Sequence, residues 1–314
     1  MPQRDSVHSG PGIFHRVVSP ARLGLRNGGL GSFGGARWHA GPHPGNRRDP
    51  MSREQGPTGL GFDARYFELL LRAEDEHFWF AARNHVIATA VRQVVQGRQP
   101  GYRVLEVGCG TGNVLRTLEA VCKRGTVVGT EPFAEGAQLA RSRVTCPVLV
   151  GDVSQLSSLF EEPFDVIGSF DVIEHIEDDV RALEQLRTLL SPDGRLVMTV
   201  PASPRLWSAF DVASHHQRRY TRRSLRDTCQ DAGYLVEWTT YFMMPLVPAA
   251  WTKRVLTGQS SGDDDLAVIE TEFKIVPVLN GLAKQVLRLE SAYFACGGRL
   301  PFGTSLLAVA RARH

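Results

Sequence analysis

The sequence predicts an α/β fold built around a largely parallel β-sheet. Short apolar runs rich in Val, Leu and Ile alternate with segments whose apolar residues follow helical spacing. A cluster of glycines follows the first such run, and 42% of the 314 residues are apolar. This composition supports a sizeable core and excludes disordered or collagen-like proteins. A chain of this length forms one large domain or two small ones.

The first segment, residues 1–52, is predicted to be a disordered tail. Residues 1–50 contain ten glycines, six prolines, seven arginines and two acidic residues, too little apolar surface to offset the entropy of ordering. Without residues 1–50, 29 basic residues stand against 31 acidic ones, whereas the whole chain has a net charge of +3. The composition suits an organelle transit peptide or an extension before a start at Met51. We favour the extension, because Pro11 and Pro20 interrupt any amphipathic helix.

Residues 53–100 are predicted to form one or two helices, because aromatic and aliphatic side chains recur there at roughly helical spacing. The region 101–242 then alternates strands and helices, which predicts parallel strands joined by right-handed crossovers. The predicted strands are 103–107, 126–130, 148–150, 164–170, 195–200 and 234–241, with a last strand at 305–310. Helical patterns occupy 114–122, 133–143, 180–190 and 224–232.

An insertion, residues 243–303, separates the sixth strand from the last strand (within residues 304–314), where a short hairpin turn would suffice. It begins with an apolar, proline-containing stretch, continues through an acidic break at 259–265 and ends in an amphipathic helix at 276–289. We expect this helix to cap the core or form a dimer face. Docking at a membrane surface is the alternative, although few cations flank the helix.

Composition also bears on the compartment and on the partners. The nearly balanced charge argues against a dedicated nucleic-acid binder. No apolar run approaches the ~18 residues of a membrane span. The five cysteines lack CxxC spacing, which predicts reduced thiols in a cytoplasmic protein, with no disulfides and no metal site; they are Cys109, Cys122, Cys146, Cys229 and Cys296.

The glycine loop, residues 108–112, is the strongest functional signal in the sequence. Gly108, Gly110 and Gly112 form a G-x-G-x-G pattern where a predicted strand turns into a helix. Asn113 stands where a dinucleotide fingerprint has its third glycine, which disfavours a nicotinamide or flavin cofactor. Glu131 ends the next strand, 23 residues after Gly108, where a carboxylate can accept ribose hydroxyls.

These residues resemble the class I S-adenosylmethionine-dependent methyltransferases, and the resemblance extends from about residue 63 to the C-terminus. It implies a Rossmann-like, seven-stranded sheet with an antiparallel last strand, and S-adenosylmethionine as cofactor. The matching segments are EVGCGTG at 106–112, Glu131, Gly151-Asp152, FDVIEH at 170–175 and LLSPDGRLVMTV at 189–200.

The resemblance also implies roles for individual residues in cofactor binding. The glycines would approach the methionine and adenosine parts, and Glu106 would orient the amino group through water. Glu131 would bind the ribose and Asp152 the adenine. Asp171 is expected to contact the methionine amine. The full implied set is Arg83, Glu106, Gly108, Cys109, Gly110, Gly112, Glu131, Asp152, Val153 and Asp171.

The segment EHFWFAAR at 76–83 is similar to an N-terminal motif in a subgroup of bacterial methyltransferases. By this resemblance, residues 53–100 form a lid whose aromatic side chains cover the cofactor, and Arg83 pairs with the cofactor's carboxylate. A helix packed in the core is the equally weighted alternative, because aromatic stripes usually mark cores.

Three histidines are candidates for removing a proton from the acceptor. His175 follows the fourth strand at the ligand-binding edge of the sheet, whereas His215 and His216 follow the fifth strand. Histidine titrates near neutrality, which suits a general base, but a capping or packing role is the alternative for His175.

The segment SHHQRRYTRR at 214–223 places this histidine pair beside four arginines. Arginine forks suit anionic oxygens, so we expect Arg218 and Arg219 to bind a phosphate or carboxylate of the acceptor, with Tyr220 completing the motif. A solvated basic loop is the alternative.

The sequence thus predicts a methyltransferase that modifies a small-molecule, lipid or glycan acceptor, with the insertion as acceptor cap or interface. A non-catalytic S-adenosylmethionine-binding protein and a nicotinamide-dependent oxidoreductase are the alternatives. We expect no nucleic-acid partner and consider a homodimer compatible with the sequence. The expected location is the cytoplasm, with peripheral membrane association as a less favoured option.

Overall fold

A computed structural model describes residues 67–257 and 265–313. The predicted tail, the first part of the predicted lid and most of the acidic break lie outside these residues. The strands are β1 Arg103–Val107, β2 Thr126–Glu131, β3 Val148–Val150, β4 Phe164–Phe170, β5 Leu190–Pro201, β6 Tyr234–Phe242 and β7 Ser305–Ala312. The helices are α1 Phe67–Glu74, α2 Phe78–Val95, α3 Asn113–Val121, α4 Ala134–Arg143, α5 Leu156–Leu159, α6 Asp179–Thr188, α7 Ala209–Ala213, α8 Arg222–Asp231, α9 Val247–Thr257, α10 Asp265–Glu272 and α11 Pro277–Ala295.

The seven strands form one sheet in the order β3-β2-β1-β4-β5-β7-β6, which confirms the predicted fold class. The pairs β2–β3, β1–β2, β1–β4 and β4–β5 are parallel, whereas β7 is antiparallel to both of its neighbours. The strand order reverses between β1 and β4. Ligands of such sheets bind beyond the carboxyl ends of the strands at this reversal, so the topology alone locates the site.

The sheet is covered on both faces. Alternating side chains of each strand point to opposite faces, as Val104 and Leu105 of β1 do by joining two different apolar clusters. Helices α2, α3, α4 and α11 cover one face, and α5, α6 and α8 cover the other. The core therefore lies in two layers that hold the strand ends in place.

Most predicted boundaries differ from the structure by a few residues, and two of the differences have clear local reasons. Strand β5 begins at Leu190, because the predicted turn at 192–194 forms an irregularity within the strand: Phe164 pairs with Leu190 and Val166 with Arg195. Helix α8 begins two residues before the predicted 224, because Thr221 caps it by accepting a 3.0 Å hydrogen bond from the Ser224 amide.

The insertion contacts the N-terminal helices. Asn280 of α11 accepts a 2.7 Å hydrogen bond from the Phe78 amide and donates a 2.9 Å bond to the Glu76 carbonyl. Leu287 and Phe294 of α11 are buried, whereas Val278 and Leu289 are 80% and 74% exposed. Helix α11 therefore packs on the core with one side and exposes apolar side chains on another. Within the described ranges, no helix has the length and apolar character needed to cross a membrane.

Candidate active site

A cavity of about 460 Å³ opens at the carboxyl ends of β1 and β4. The glycine loop, the residues after β2, β3, β4 and β5, the N-terminal helices and the first two helices of the insertion all contribute to its lining. The sequence predictions for the glycine loop, two of the three histidines and the insertion therefore converge on one cavity.

The glycine loop requires glycine for two different reasons. Its three glycines have φ angles of 66°, 53° and 82° at Gly108, Gly110 and Gly112, in the left-handed region that side chains disfavour. A Cβ at Gly108 would also lie 2.7 Å from Cγ2 of Val172. Gly108 and Gly110 line the cavity, whereas Gly112 precedes α3, where a Cβ would lie 3.0 Å from the Ala140 Cα. Gly112 therefore allows α3 and α4 to pack closely, and its contact with the cofactor remains a prediction.

Glu131 holds the glycine loop from the end of β2. One carboxylate oxygen accepts a 2.8 Å hydrogen bond from the Gly110 amide, and the other accepts a 3.1 Å bond from the Phe133 amide. Burial raises the pKa of Glu131 to about 7, although both amide hydrogen bonds oppose this shift. The carboxylate lines the cavity, and each oxygen keeps a lone pair for a ribose hydroxyl.

We predict that Glu131→Gln weakens the affinity for S-adenosylmethionine about 10- to 100-fold, the equivalent of one or two hydrogen bonds to a charged group. The amide would turn an NH2 group toward one of the donors that the carboxylate now satisfies. Titration calorimetry measures the loss, with Glu135→Gln on exposed α4 as the matched control. Unchanged affinity in Glu131→Gln would show that Glu131 does not contact the cofactor.

Glu106 presents a buried carboxylate to the cavity from β1. The residue is 2% exposed, and among the described residues its Oε2 has no hydrogen-bond partner. Burial raises its pKa well above the usual range, and the positive charge of Arg83 opposes this shift. A buried carboxylate oxygen without a partner fits the ammonium group of S-adenosylmethionine, and the expected role of Glu106 in orienting that group remains a prediction.

Arg83 and Asp171 both line the cavity, but they pair with each other. The Arg83 Nε lies 2.6 Å from the Asp171 Oδ2, and an Nη atom donates a 2.7 Å hydrogen bond to the Phe170 carbonyl. The sequence predicted that each would bind a separate charge of the cofactor. In the structure each charge is already compensated, so this pair joins the lid to the end of β4, and the cofactor contacts remain predictions.

The residues that were expected to contact the adenine follow β3, next to the glycine loop. Asp152 caps a helical turn by accepting hydrogen bonds from the Ser154 amide at 2.8 Å and the Ser154 hydroxyl at 2.6 Å. Asp152, Val153 and Cys109 all line the cavity, as predicted for cofactor contacts. Burial raises the pKa of Cys109 well above its usual value, so it is a thiol in the wall and not a nucleophile.

The structure separates the three candidate histidines. His175 and His216 line the cavity with their rings 4.7 Å apart and nearly perpendicular. Desolvation lowers the pKa of His175 well below its usual value, and His216 adds to this effect, so the His175 ring is neutral. His215 is not part of the cavity lining; its backbone has a φ of 54°, which turns the chain between its two neighbours. The geometry therefore does not favour a catalytic role for His215, which stays a prediction.

His216 is held by a buried carboxylate. Its Nδ1 lies 2.9 Å from the Asp211 Oδ1, and the same oxygen accepts a 2.7 Å hydrogen bond from the Arg219 Nε. Burial would raise the pKa of Asp211, but the contacts with His216 and Arg219 outweigh it and hold the pKa at about 2. This arrangement fixes the His216 ring and leaves its Nε2 outside the hydrogen bond to Asp211.

Two of the three predicted acceptor-binding residues lie away from the cavity. Arg218 donates hydrogen bonds of 2.9 and 2.7 Å to the carbonyls of Ile176 and Glu177, and the Tyr220 hydroxyl donates a 2.6 Å bond to Asp179. These contacts attach the loop after β5 to the segment after β4, which brings His216 beside His175. Arg218 and Tyr220 are therefore positioning residues, and only Arg219 of the predicted trio lines the cavity.

An aromatic wall closes the cavity opposite the glycine loop. Phe273, next to α10, contacts the rings of Phe80 at 5.1 Å, His77 at 5.6 Å and Phe210 at 5.7 Å between centroids. We define these four residues as the aromatic wall. The lid prediction named the segment that contains His77 and Phe80. This segment packs in the core and also lines the cavity, and its covering of the cofactor remains a prediction.

Sequence reasoning missed three residues of the site. Phe273 does not belong to any motif that was recognised in the sequence. Asp211 contacts His216 only because α7 and the following turn bring the two side chains together. Glu174 belongs to the FDVIEH motif and is 0% exposed, yet the motif alone does not show that its side chain lines the cavity. Burial raises the pKa of Glu174 well above the usual range, and the charge of Asp171 adds to this shift.

Similar proteins were found at both the family and the structural level. A family model described as a methyltransferase domain matches residues 77–237. An uncharacterized 37.1 kDa protein in a Streptomyces fradiae transposon is 32% identical over 137 residues, 41% of this chain and 39% of that protein. A probable tRNA methyltransferase 9B of Mus musculus is 31% identical, covering 47% of this chain and 33% of its own. A ubiquinone biosynthesis O-methyltransferase of Histophilus somni is 32% identical, covering 36% of this chain and 51% of its own.

Two solved structures share the fold. A chain from the complex of the Haloferax volcanii Trm112 methyltransferase activator with a putative methyltransferase has a TM-score of 0.51 and 18% identity, covering 80% of this chain and 97% of its own. The plantazolicin methyltransferase BamL has a TM-score of 0.51 and 12% identity, covering 80% and 94%. These similarities show the fold alone.

The chain spans about two fifths of the length of the first of these relatives and a third of the second. The sequence similarity therefore concerns one region of each relative and not the whole protein. The family model, in contrast, matches half of the chain, from the lid through β6. Together with the sheet order and the fit of the glycine loop, Glu106 and Glu131 to S-adenosylmethionine, this match confirms the resemblance seen in the sequence: the chain belongs to the methyltransferase-domain family and has the fold of the class I S-adenosylmethionine-dependent methyltransferases.

Proposed function

We propose that this protein transfers the methyl group of S-adenosylmethionine to a hydroxyl oxygen of a small acceptor with an apolar body. The observation that carries this proposal is the continuity of one cavity. Its lining runs from the glycine loop, past His175 and His216, to the aromatic wall. A single space thus joins a cofactor cradle, a polar centre and an apolar chamber.

S-adenosylmethionine supplies an already activated sulfonium methyl group, which an acceptor atom takes by in-line displacement. The protein's contribution is to position the two reactants and to exclude water. Glu131 and Asp152 would hold the nucleoside, and Glu106 would hold the methionine amine. The lid and the insertion supply the aromatic and aliphatic part of the lining, beside the charged side chains of Lys253, Arg254 and Glu272.

The acceptor hydroxyl must lose its proton as its oxygen bonds to the methyl carbon. The neutral ring of His175 and the oriented ring of His216 face the place where this hydroxyl would lie. Asp211 holds His216 through Nδ1, which leaves Nε2 for the hydroxyl or for another group that acts on it. Arg219 is engaged in neutralising Asp211, which argues against the predicted contact between Arg219 and an acidic group of the acceptor.

The walls of the chamber favour a lipid-like or quinone-like acceptor over a glycan. Leu246, Ala249 and Ala250 of the insertion line the cavity together with the aromatic wall. The name of the Histophilus relative, a ubiquinone biosynthesis O-methyltransferase, agrees with an apolar acceptor. The tRNA methyltransferase relatives raise a nucleic-acid acceptor instead, which the proposal disfavours because residues after the tail carry no basic surplus. A homodimer and a cytoplasmic location remain predictions.

The experiment uses the full chain, S-adenosylmethionine labelled in its methyl group and an extract of the source cells. Products are partitioned between butanol and water, and RNA is precipitated from the aqueous phase. We expect label in butanol. Label in RNA or in another water-soluble product would overturn the proposed acceptor class. Cofactor binding without transfer to either phase would favour a non-catalytic binding protein.

We predict that Phe273→Ala reduces the label recovered in butanol about 10-fold while leaving the cofactor affinity unchanged, because it removes the ring that joins the lid, α7 and the insertion. Scintillation counting and calorimetry measure the two effects. Phe302→Ala is the matched control, since Phe302 is 52% exposed and does not line the cavity. Equal losses in both variants would indicate a general effect on stability.

A further inference from the structure

A cluster of three side chains in the cavity has the geometry of a metal site. Glu174, His175 and His216 each offer one ligand atom, and these atoms all lie within 4.8 Å of one another. Ligand atoms of one tetrahedral zinc-sized cation, each about 2.1 Å from it, are separated by about 3.4 Å. Side-chain shifts of about 1 Å or less would therefore bring all three atoms to one ion.

Glu174 lacks a compensating partner of its own. Its side chain is 0% exposed, and neither of its oxygens has a hydrogen-bond partner on another described residue. The positive charge of Arg83 acts on it, but Arg83 already forms an ion pair with Asp171 at 2.6 Å. A buried carboxylate without a partner is costly, and a cation beside it removes that cost.

The surroundings of His216 match those of histidines that bind metals. Such a histidine donates its second ring N–H to a carboxylate or carbonyl, which fixes the ring for the metal. The Asp211 Oδ1 lies 2.9 Å from the His216 Nδ1, and Asp211 is itself held by Arg219 at 2.7 Å and by the Ser208 amide at 2.8 Å. The carboxylate that orients His216 is thus fixed independently of any ligand.

The loop after β5 is attached so that the three residues stay together. The Gln217 amide donates a 2.7 Å hydrogen bond to the Glu174 carbonyl, which joins the residue after His216 directly to the backbone of Glu174. Arg218 adds its two hydrogen bonds to the next carbonyls of the same segment. The chain thus brings His175 and His216, 41 positions apart, to one point of the cavity.

We propose that Glu174, His175 and His216 bind one divalent transition-metal ion, such as Mn²⁺, Fe²⁺, Co²⁺ or Zn²⁺. Two imidazoles and one carboxylate suit these ions better than Ca²⁺ or Mg²⁺ and leave coordination positions open. The open positions face the cavity, where an oxygen of the acceptor can complete the coordination. This proposal departs from the expectation of no metal, which rested on cysteine spacing and could not include a site assembled from distant histidines.

Metal binding itself does not depend on the proposed function, but its role in methyl transfer rests on it. A cation at this point would lower the pKa of a coordinated hydroxyl, which would release its proton to water before the methyl group is transferred, so that His216 acts as a ligand and not as the base. The two roles of His216 are therefore distinguishable, because a base does not require a metal.

The test is Mn²⁺ binding to the full chain after dialysis against a chelator. The loss of the electron paramagnetic resonance signal of free Mn²⁺ measures the binding. We expect saturable binding of one ion per chain. Glu174→Gln and His216→Asn should each weaken it at least about 10-fold, and Asp211→Asn about 10-fold because it loosens the His216 ring. His215→Asn is the matched control, because His215 lies outside the cavity and asparagine tolerates its positive φ.

Circular dichroism shows whether each variant is folded, and two independent ligand variants keep the test valid if one of them is not. Absence of saturable binding in the wild type, or wild-type binding in folded Glu174→Gln and His216→Asn, would overturn the site. Saturable binding without any methyl transfer would support the site and refute the proposed function. Methyl transfer that persists in the chelated protein without detectable Mn²⁺ binding would refute the site and leave the proposed function standing.

Discussion

Replacing Gly110 with arginine is expected to abolish binding of S-adenosylmethionine. Gly110 lines the cavity with a φ of 53°, and its amide donates to Glu131. A Cβ would find space there, since its nearest neighbour, the Phe67 Cε1, is 3.9 Å away. The rest of the arginine side chain must therefore enter the space that the cofactor requires, and the backbone is strained as well.

Titration calorimetry with S-adenosylmethionine measures this loss. Gly281→Arg is the control, because Gly281 lies in α11, has an ordinary φ, and would place a Cβ where no other described atom lies within 4 Å. We expect the control to bind the cofactor as the wild type does. Normal binding by Gly110→Arg would mean that the glycine loop is not the cofactor cradle.

The second large effect is expected from His216→Ala, which should lower the turnover number about 100-fold or more, in the range of a lost acid–base or metal-assisted contribution. His216 lies at the polar centre, away from Glu131 and Asp152, so the affinity for S-adenosylmethionine should not change. Single-turnover transfer of labelled methyl groups measures the first quantity, and calorimetry measures the second.

His215→Asn separates a specific effect from a general one. The two histidines are neighbours in the chain, but only His216 lines the cavity. We expect His215→Asn to retain its turnover. A His216→Ala variant that loses cofactor affinity with an unchanged turnover number would contradict the assignment of His216 to the acceptor side.

The fold followed from local patterns in the sequence. The predicted bounds of β1, β3 and β4 agree with the structure, because buried parallel strands are short apolar runs that end at glycines or turn residues. The glycine loop could also be predicted from the sequence, because positive φ angles and the close approach of the backbone require glycine at fixed spacing. Both signals need no knowledge of distant contacts.

The acceptor side could not be predicted in the same way. His215 and His216 are indistinguishable in the sequence, and the backbone turn at His215 decides which ring faces the cavity. Arg218 resembled a ligand-binding arginine, but carbonyls of the segment after β4 receive its hydrogen bonds. Phe273 reaches His77 from 196 positions away, a contact that no spacing rule contains.

A crystal structure of the full chain with S-adenosylhomocysteine tests the central claim most directly, namely that one cavity holds the cofactor with its reacting end toward the acceptor chamber. The account predicts the adenine beside Asp152 and Val153, the ribose at Glu131, and the sulfur facing Glu174, His175 and His216. A sulfur that faces away from these three residues, or a ligand bound outside the cavity, would contradict it.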